Sequence, residues 1–556
     1  MLARALTATA IAAAAVVPGA AQAADPITPL RDVQRGMRCT ARTVVHGTAI
    51  TDFGVEVLDV LADVNGGGPR ILVRVTGEAV EGSGIASGFS GSPTYCVNAQ
   101  GVLGNAGAVS ATVGQYGNDV GLVTPIEQML GLPLKPPSGA ARAPRAVRAS
   151  ARPLAAPLML SGLSPQLGRL VQRAAARAGR SIVAAPVGPL GSFAPQPLVP
   201  GAAMGVAYAT GALSAAAVGT VTYRDGATLY GFGHLLEGAG RRSLPLTDAY
   251  VFAVIDNPLD TSESTSYKLA APGHLLGTIS NDALSAVLGS VGPRPRTVPF
   301  TVTVRDRDRD RTLRQRTEIA DEVDVGDPTG SGTLGAFSSL ALTQAVTAAF
   351  DGAPARESGR MCLTVRVREL SRPLRVCNRY VVDRAAASGV PPLAWAMGTD
   401  LSAALSPIES ATFAGLHVTG VHADVAFERG LRLATIRRLH GPRVVRRGAT
   451  ARFSLRVRAF QGPERTLPLT LRIPRDAPLG RQQLRIAGTA LDDPGEGGDE
   501  LTIVLDLGDV GGASGGEGPQ TLAQVVRGVR ATQRYDGLRA RLGAARWRAG
   551  ADPRLR

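Results

Sequence analysis

Gly84-Ile85-Ala86-Ser87-Gly88-Phe89-Ser90-Gly91-Ser92-Pro93 is a run of small residues holding one aromatic ring and closed by a proline. On its N-terminal side lie Thr43–His46, Val55–Val60 and Arg70–Thr76, and on its C-terminal side Thr94–Val97, Val102–Gly107 and Gly121–Thr124. Each of these six segments alternates or clusters apolar residues as a short strand does, and the Gly, Asn and Asp between them are turn formers. Short strands at this spacing predict a small all-β barrel or half-barrel, with the glycine-rich run as one of its loops.

Such a loop has a chemical use. A serine with glycine two residues before it and directly after it suits an acyl-transfer nucleophile, because small neighbours admit a peptide carbonyl and let backbone N–H groups point at it. Ser90 is the candidate nucleophile, and the N–H groups of Gly88 and Ser90 are the candidate oxyanion donors. A base is also needed. Of His46, His234, His274, His417, His422 and His440, the first choice is His234, which ends the apolar run Leu229-Tyr230-Gly231-Phe232-Gly233 where a barrel rim can hold it. His46, in the same block as Ser90, is the rival.

The chain outside this block is read the same way. Residues 1–23 form a signal peptide: Arg4, an apolar run to Val17, a Pro18-Gly19 break, and Ala21-Gln22-Ala23 as cleavage site. No later run reaches the roughly 18 apolar residues of a membrane span, so no transmembrane segment is expected in the mature chain, which is secreted or envelope-associated. Residues 24–135 hold the serine loop. Residues 136–200 read as a linker with a short helix from Ser164 to Ala178. Residues 201–320 form a second β block with an Asp225-Gly226 hairpin. Residues 321–430 mix helix and strand. Residues 431–510 alternate strongly and predict an immunoglobulin-like β-sandwich. Residues 511–556 give a Gly-rich spacer and an amphipathic helix from Leu522 to about Arg541. The fold class is therefore mainly β.

The 556 residues carry a net charge of +15, nearly all from arginine, since Lys135 and Lys268 are the only lysines. The arginines occur in every segment without interleaved aromatics, which predicts a solvated basic surface and no nucleic-acid partner. Cys39, Cys96, Cys362 and Cys377 have no zinc-type spacing. Export permits disulfides; Cys39 with Cys96 and Cys362 with Cys377 is the favoured pairing because each would staple one segment, and four buried thiols is the alternative. No cofactor is expected: the glycine runs at 66–68 and 511–518 lack the Lys-Ser or Lys-Thr of a phosphate cradle, and the acidic stretch from Asp492 to Glu500 lacks the oxygen spacing of a calcium loop.

Taken together, Thr43-Val44-Val45-His46-Gly47-Thr48, Phe53-Gly54-Val55-Glu56-Val57-Leu58, Gly88-Phe89-Ser90-Gly91-Ser92-Pro93 and Gly121-Leu122-Val123-Thr124-Pro125-Ile126-Glu127 resemble the serine half of the SpoIVB-type serine peptidases. Gly219-Thr220-Val221-Thr222-Tyr223, Gly231-Phe232-Gly233-His234 and Leu276-Gly277-Thr278-Ile279-Ser280-Asn281-Asp282 resemble that family's histidine half. The two halves occur here in swapped order, and no PDZ module precedes them. The resemblance spans residues 36 to 300. It implies a trypsin-like double β-barrel and a serine endopeptidase acting on a protein or peptide, with Ser90 as nucleophile and His234 as general base. The family's acidic position falls near Gly77 and Glu78, so Glu78, Asp248 and Asp256 are the candidate orienting acids. The alternative is an inactive envelope scaffold or binding protein that keeps the fold; on either reading the C-terminal β-sandwich is expected to meet a cell-envelope partner.

Overall fold

A computed structural model describes residues 25–64, 66–113, 118–137, 157–178, 181–185, 193–256, 266–325, 332–383, 388–489, 518–532 and 534–543. The signal peptide, most of the Pro-, Ala- and Arg-rich linker, the acidic stretch 492–500 and nearly all of the Gly-rich spacer lie outside the described residues.

The first block closes on itself. Strands β1 (Arg38–Val44), β2 (Ile50–Leu61), β3 (Arg70–Thr76), β4 (Pro93–Val97), β5 (Leu103–Thr112) and β6 (Val120–Pro125) form a barrel in the order β1-β2-β3-β6-β5-β4. Alternation sets its inside: Cys39, Ala41, Phe53, Val55, Val57, Ile71, Val73 and Val75 point into one core with Phe89 from the glycine-rich loop. Cys39 and Cys96 form a disulfide within it. Helix α1 (Ile126–Leu130) leaves the last strand.

Strands β7 (Leu158–Ser161) and β8 (Ile182–Ala184), with helix α2 (Pro165–Arg177) between them, come from the segment expected to be a linker. They pair in parallel with each other, and β7 adds to the second block. Their strand signal is only a few residues long, too short for periodicity to register. The helix starts as expected, with Ser164 accepting the Leu167 N–H.

The second block contains β9 (Ala203–Gly211), β10 (Ser214–Asp225), β11 (Thr228–Gly231), β12 (Gly240–Ile255), β13 (Tyr267–Ala283) and β14 (Ala286–Val291). They pair in the order β9-β12-β13-β14-β11-β10, and β10 pairs back onto β9, so these six strands make a closed circuit. The C-terminal end of β9, Ala209–Gly211, beyond its pairing with β12, continues the sheet through β16 (Arg311–Ala320), β15 (Thr297–Asp306), β19 (Val418–Arg429), β17 (Arg356–Val367) and β18 (Leu374–Asp383). Cys362 and Cys377 face each other across β17 and β18 and are bonded. Two disulfides fit an oxidising compartment.

Helices α3 (Thr333–Phe350) and α4 (Pro392–Glu409) pack on this extension and share its core with Phe300, Val304, Leu363 and Phe427. Helix α3 is long and apolar enough to cross a membrane by length and composition, but 67% of it is buried inside the fold. It is apolar because it is interior.

The C-terminal part differs from its expectation. A three-stranded sheet, β20 (Ala434–His440), β21 (Thr450–Ala459) and β22 (Glu464–Arg472), shares a core with the pair β23 (Leu484–Gly488) and β24 (Leu538–Leu542). Helix α5 spans only Leu522–Arg530 rather than reaching Arg541. Asp536-Gly537 breaks the chain, and Leu538 and Ala540 then alternate inward as a strand paired with β23.

Candidate functional site

Ser90 lies where the barrel meets the closed circuit. The Thr220 N–H donates to the Ser90 carbonyl (2.8 Å), the Thr222 hydroxyl to the Gly91 carbonyl (2.8 Å), and the Asn105 side chain to the Thr222 carbonyl (2.9 Å). Gly88 and Gly91 have φ of 94° and 92°, values that favour glycine. The loop therefore needs its glycines for its own bend and for the approach of the second block.

The backbone around Ser90 sets the direction of two amides. Because a trans peptide points its C=O and N–H oppositely, fixing one fixes the other. The Ser87 carbonyl accepts the Lys268 N–H (2.9 Å), which turns the Gly88 N–H the other way. The Phe89 carbonyl accepts both the N–H (2.9 Å) and the hydroxyl (2.6 Å) of Ser92, which does the same for the Ser90 N–H. The N–H groups of Phe89 and Gly91 are committed to the Ala86 and Val109 carbonyls, whereas those of Gly88 and Ser90 have no hydrogen-bond acceptor among the described residues. Two uncommitted amides beside one hydroxyl suit a developing oxyanion.

His234 follows β11 on the facing side of the same seam. Phe232, just before it, is held at φ 66°, a conformation costly for an aromatic residue. The Thr124 hydroxyl of the barrel donates to the Gly233 carbonyl (2.7 Å). His234 Nδ1–H donates to the Leu235 carbonyl (2.5 Å), an assignment that follows because a carbonyl can only accept, and it makes Nε2 the basic nitrogen of the neutral ring. Ser90 and His234 are linked through two backbone bonds, Thr220 N–H to Ser90 O and Phe232 N–H to Thr220 O (3.3 Å). The Ser90 hydroxyl itself has no hydrogen-bond partner among the described residues and so is not bonded to His234. Ser90 is 0% exposed and His234 7%.

The three candidate acids are placed elsewhere or otherwise engaged. Glu78 is exposed in a single 3-10 turn, and Asp256 is exposed beside Gly82. Asp248 is fully buried but serves another histidine, accepting from His274 Nδ1 (3.0 Å), the His274 N–H (2.5 Å) and the Gln196 N–H (2.8 Å). The rival base His46 is exposed at the turn after β1.

Two residues that sequence reasoning passed over stand at the site. Asp282, near the end of β13, is buried and accepts the N–H groups of Leu236 (2.7 Å), Glu237 (2.8 Å) and Ala239 (3.2 Å), which form the segment directly after His234. Burial pushes its carboxyl up, while Arg242 and those amides act against this. Asp282 thus fixes the chain that carries the imidazole. Its only signal was its place in the string Ile279-Ser280-Asn281-Asp282.

Lys268 is fully buried between the two blocks. Its ammonium donates to Thr43 Oγ1 (2.6 Å) and Thr220 Oγ1 (3.3 Å) and stands 4.9 Å from the Phe89 ring centroid. Its stem fills the space where a Gly88 side chain would be, with carbons 3.1–3.2 Å from that position. Thr220 Oγ1 in turn donates to the Gly88 carbonyl (3.1 Å). With hydroxyls and no carboxylate as partners, burial lowers its pKa to about 7. The available signal was one lysine inside an apolar strand of a chain that otherwise uses arginine.

Among the described residues no group of three or more His, Cys, Asp or Glu could hold a metal ion. Comparison with protein-family models, curated proteins and solved structures finds no match.

Proposed function

We propose that the chain is an exported serine endopeptidase of the SpoIVB type, built on a trypsin-like pair of barrels, that cleaves a protein or peptide through a Ser90–His234 acyl-enzyme. The observation that carries this reading is the pair of uncommitted amides, Gly88 and Ser90, beside a buried hydroxyl on the seam that also holds His234. In the reaction His234 Nε2 takes the Ser90 proton as Oγ bonds to the scissile carbonyl carbon. The two amides hold the oxyanion, and the imidazolium returns the proton to the leaving amine. Water, activated by the same imidazole, then breaks the ester. Asp282 takes the place of the orienting acid by holding the segment after His234, and the C-terminal β-sandwich presents the enzyme to the cell envelope.

The burial of Ser90 favours a second reading, an inactive envelope scaffold that keeps the peptidase fold. A fluorophosphonate probe separates them. Labelling of the purified chain that Ser90→Ala abolishes and His234→Gln slows at least about a hundredfold supports the enzyme, since general-base catalysis contributes about that much or more. Absence of labelling between pH 6 and about 9, a span that covers neutral imidazole, supports the scaffold.

A further inference from the structure

Arginine occurs in every segment, but the net positive charge of the chain is concentrated in one of them. Residues 431–490 hold fourteen arginines against two carboxylates, Glu464 and Asp476, so this stretch alone carries +12 of the net +15. All fourteen are exposed. Among the described residues only Arg432, Arg437 and Arg456 have a carboxylate within ion-pair distance.

The register of the three-stranded sheet gives this charge a direction. His440 pairs with Ser454 and Thr450 with Arg472, so the connections 441–449 and 473–483 leave from the same end. They brace one another through the Gly448 N–H to the Ile473 carbonyl (2.9 Å) and the Ile473 N–H to the Ala449 carbonyl (2.8 Å). The opposite end is tied to the body, by the Arg432 N–H on Ser358 Oγ (2.8 Å) and the Arg356 guanidinium 5.6 Å from the Phe460 ring. The two connections therefore form the far tip of the module. On that tip Val444 is 86% exposed, Leu479 76% and Val445 40%. Arg443, Arg446, Arg447, Arg475 and Arg481 surround them, all exposed.

We propose that this tip docks on an anionic lipid bilayer, its aliphatic side chains entering the headgroup boundary while the arginines meet lipid phosphates. Exposed aliphatics ringed by guanidinium groups satisfy both layers of a membrane surface at once. A single-stranded nucleic acid would be gripped by stacking rings, which neither connection contains, and a duplex would use the arginines but leave the aliphatic side chains in water. The eight carboxylates between residues 492 and 517 are the chain's own rival for these arginines. The proposal does not rest on the hydrolytic reading, and Ser90→Ala leaves it unchanged.

The test is co-sedimentation of the purified full chain with phosphatidylcholine vesicles containing roughly one phosphatidylglycerol in three, against phosphatidylcholine alone and against soluble polyphosphate. Binding to the anionic vesicles that falls with salt is expected. Each arginine near the surface is worth about fivefold, so the triple variant Arg443→Glu/Arg446→Glu/Arg447→Glu should bind at least about a hundredfold more weakly. The double variant Val444→Asp/Leu479→Asp should lose about tenfold or more on vesicles and nothing on polyphosphate. An unchanged unfolding midpoint shows that these tip variants fold. No binding to anionic vesicles at low salt, or full vesicle binding by the aspartate variant, overturns the proposal; the second result would mean a general polyanion site.

Discussion

A Cβ placed on Gly91 would stand 2.0 Å from the carbonyl oxygen of Thr220 and 2.6 Å from the Phe232 nitrogen. The two blocks therefore touch backbone to backbone at the residue after the candidate nucleophile, with no side chain between. Gly91→Ala must push them apart while adopting a φ of 92°. Overpacking and backbone strain together should cost about 3 kcal/mol or more. Urea unfolding measures the loss, and Ser90 labelling should disappear even where the variant remains folded.

Lys268 makes stability depend on pH in a stated direction. Its folded pKa of about 7 lies below its ordinary 10.5, so the unfolded chain binds the extra proton between these values. Stability from this group is full above the unfolded value and is lost as pH falls through about 7. The native chain should therefore gain about 2–3 kcal/mol between pH 6.5 and 9 from this residue, at 1.36 kcal/mol per unit. Lys268→Met keeps the stem and removes the charge, and its unfolding curves at the two pH values should lack that gain.

Glu357 and Glu409 act in the opposite sense. Both are buried carboxyls at the starts of helices: Glu357 accepts the Leu393 N–H of α4 (2.9 Å), and Glu409 accepts the Leu334 (3.0 Å) and Gly335 (3.2 Å) N–H groups of α3. Burial raises each to about 7 from 4.5. Their stability is complete below 4.5 and is lost as pH rises through about 7. Glu409→Gln keeps an acceptor for the two amides and should remove about 2–3 kcal/mol of the decline between pH 4.5 and 7.5. An unchanged slope in the variant would count against a buried, protonatable Glu409.

The disulfides should differ in weight. Cys39–Cys96 closes 57 residues and joins the neighbouring strands β1 and β4, which lie far apart in the chain, while Cys362–Cys377 closes 15 between directly paired positions of one hairpin. Loop-closure entropy gives about 4 kcal/mol for the first and about 3 for the second. The hairpin already holds its ends together through its ladder, so its bond should contribute less than that figure. Thermal unfolding of Cys39→Ala/Cys96→Ala and of Cys362→Ala/Cys377→Ala should show the larger drop in the first.

The strands of both blocks were legible because alternation is local. Arg70–Thr76 falls where its pattern places it, and the Asp225-Gly226 turn joins β10 to β11 as its dipeptide implies. The Ser90 loop was legible for the same reason, since glycine and serine spacing is written within a few residues. What escaped was written at a distance. Asp282 acts on amides some 45 residues away, and Lys268 meets Thr43 across 225 residues, so neither role has a local pattern. Strand β24 was misread as helix because five residues of alternation are outweighed by the amphipathic run before them. The true partner is β23, about 50 residues earlier. Asp248 shows the reverse error: a carboxylate in the right block whose burial commits it to His274.

The barrel formed by β1 to β6 finds every partner in its closed sheet and its disulfide partner between residues 38 and 125, and all the buried residues of its core between Val33 and Val123. A chain threaded outward from its N-terminus can therefore complete that barrel while residue 234 is still to come. On the proposed hydrolytic reading, Ser90 would then wait without an imidazole until the second circuit assembles, and the timing of synthesis itself would keep the newborn protein harmless to its neighbours.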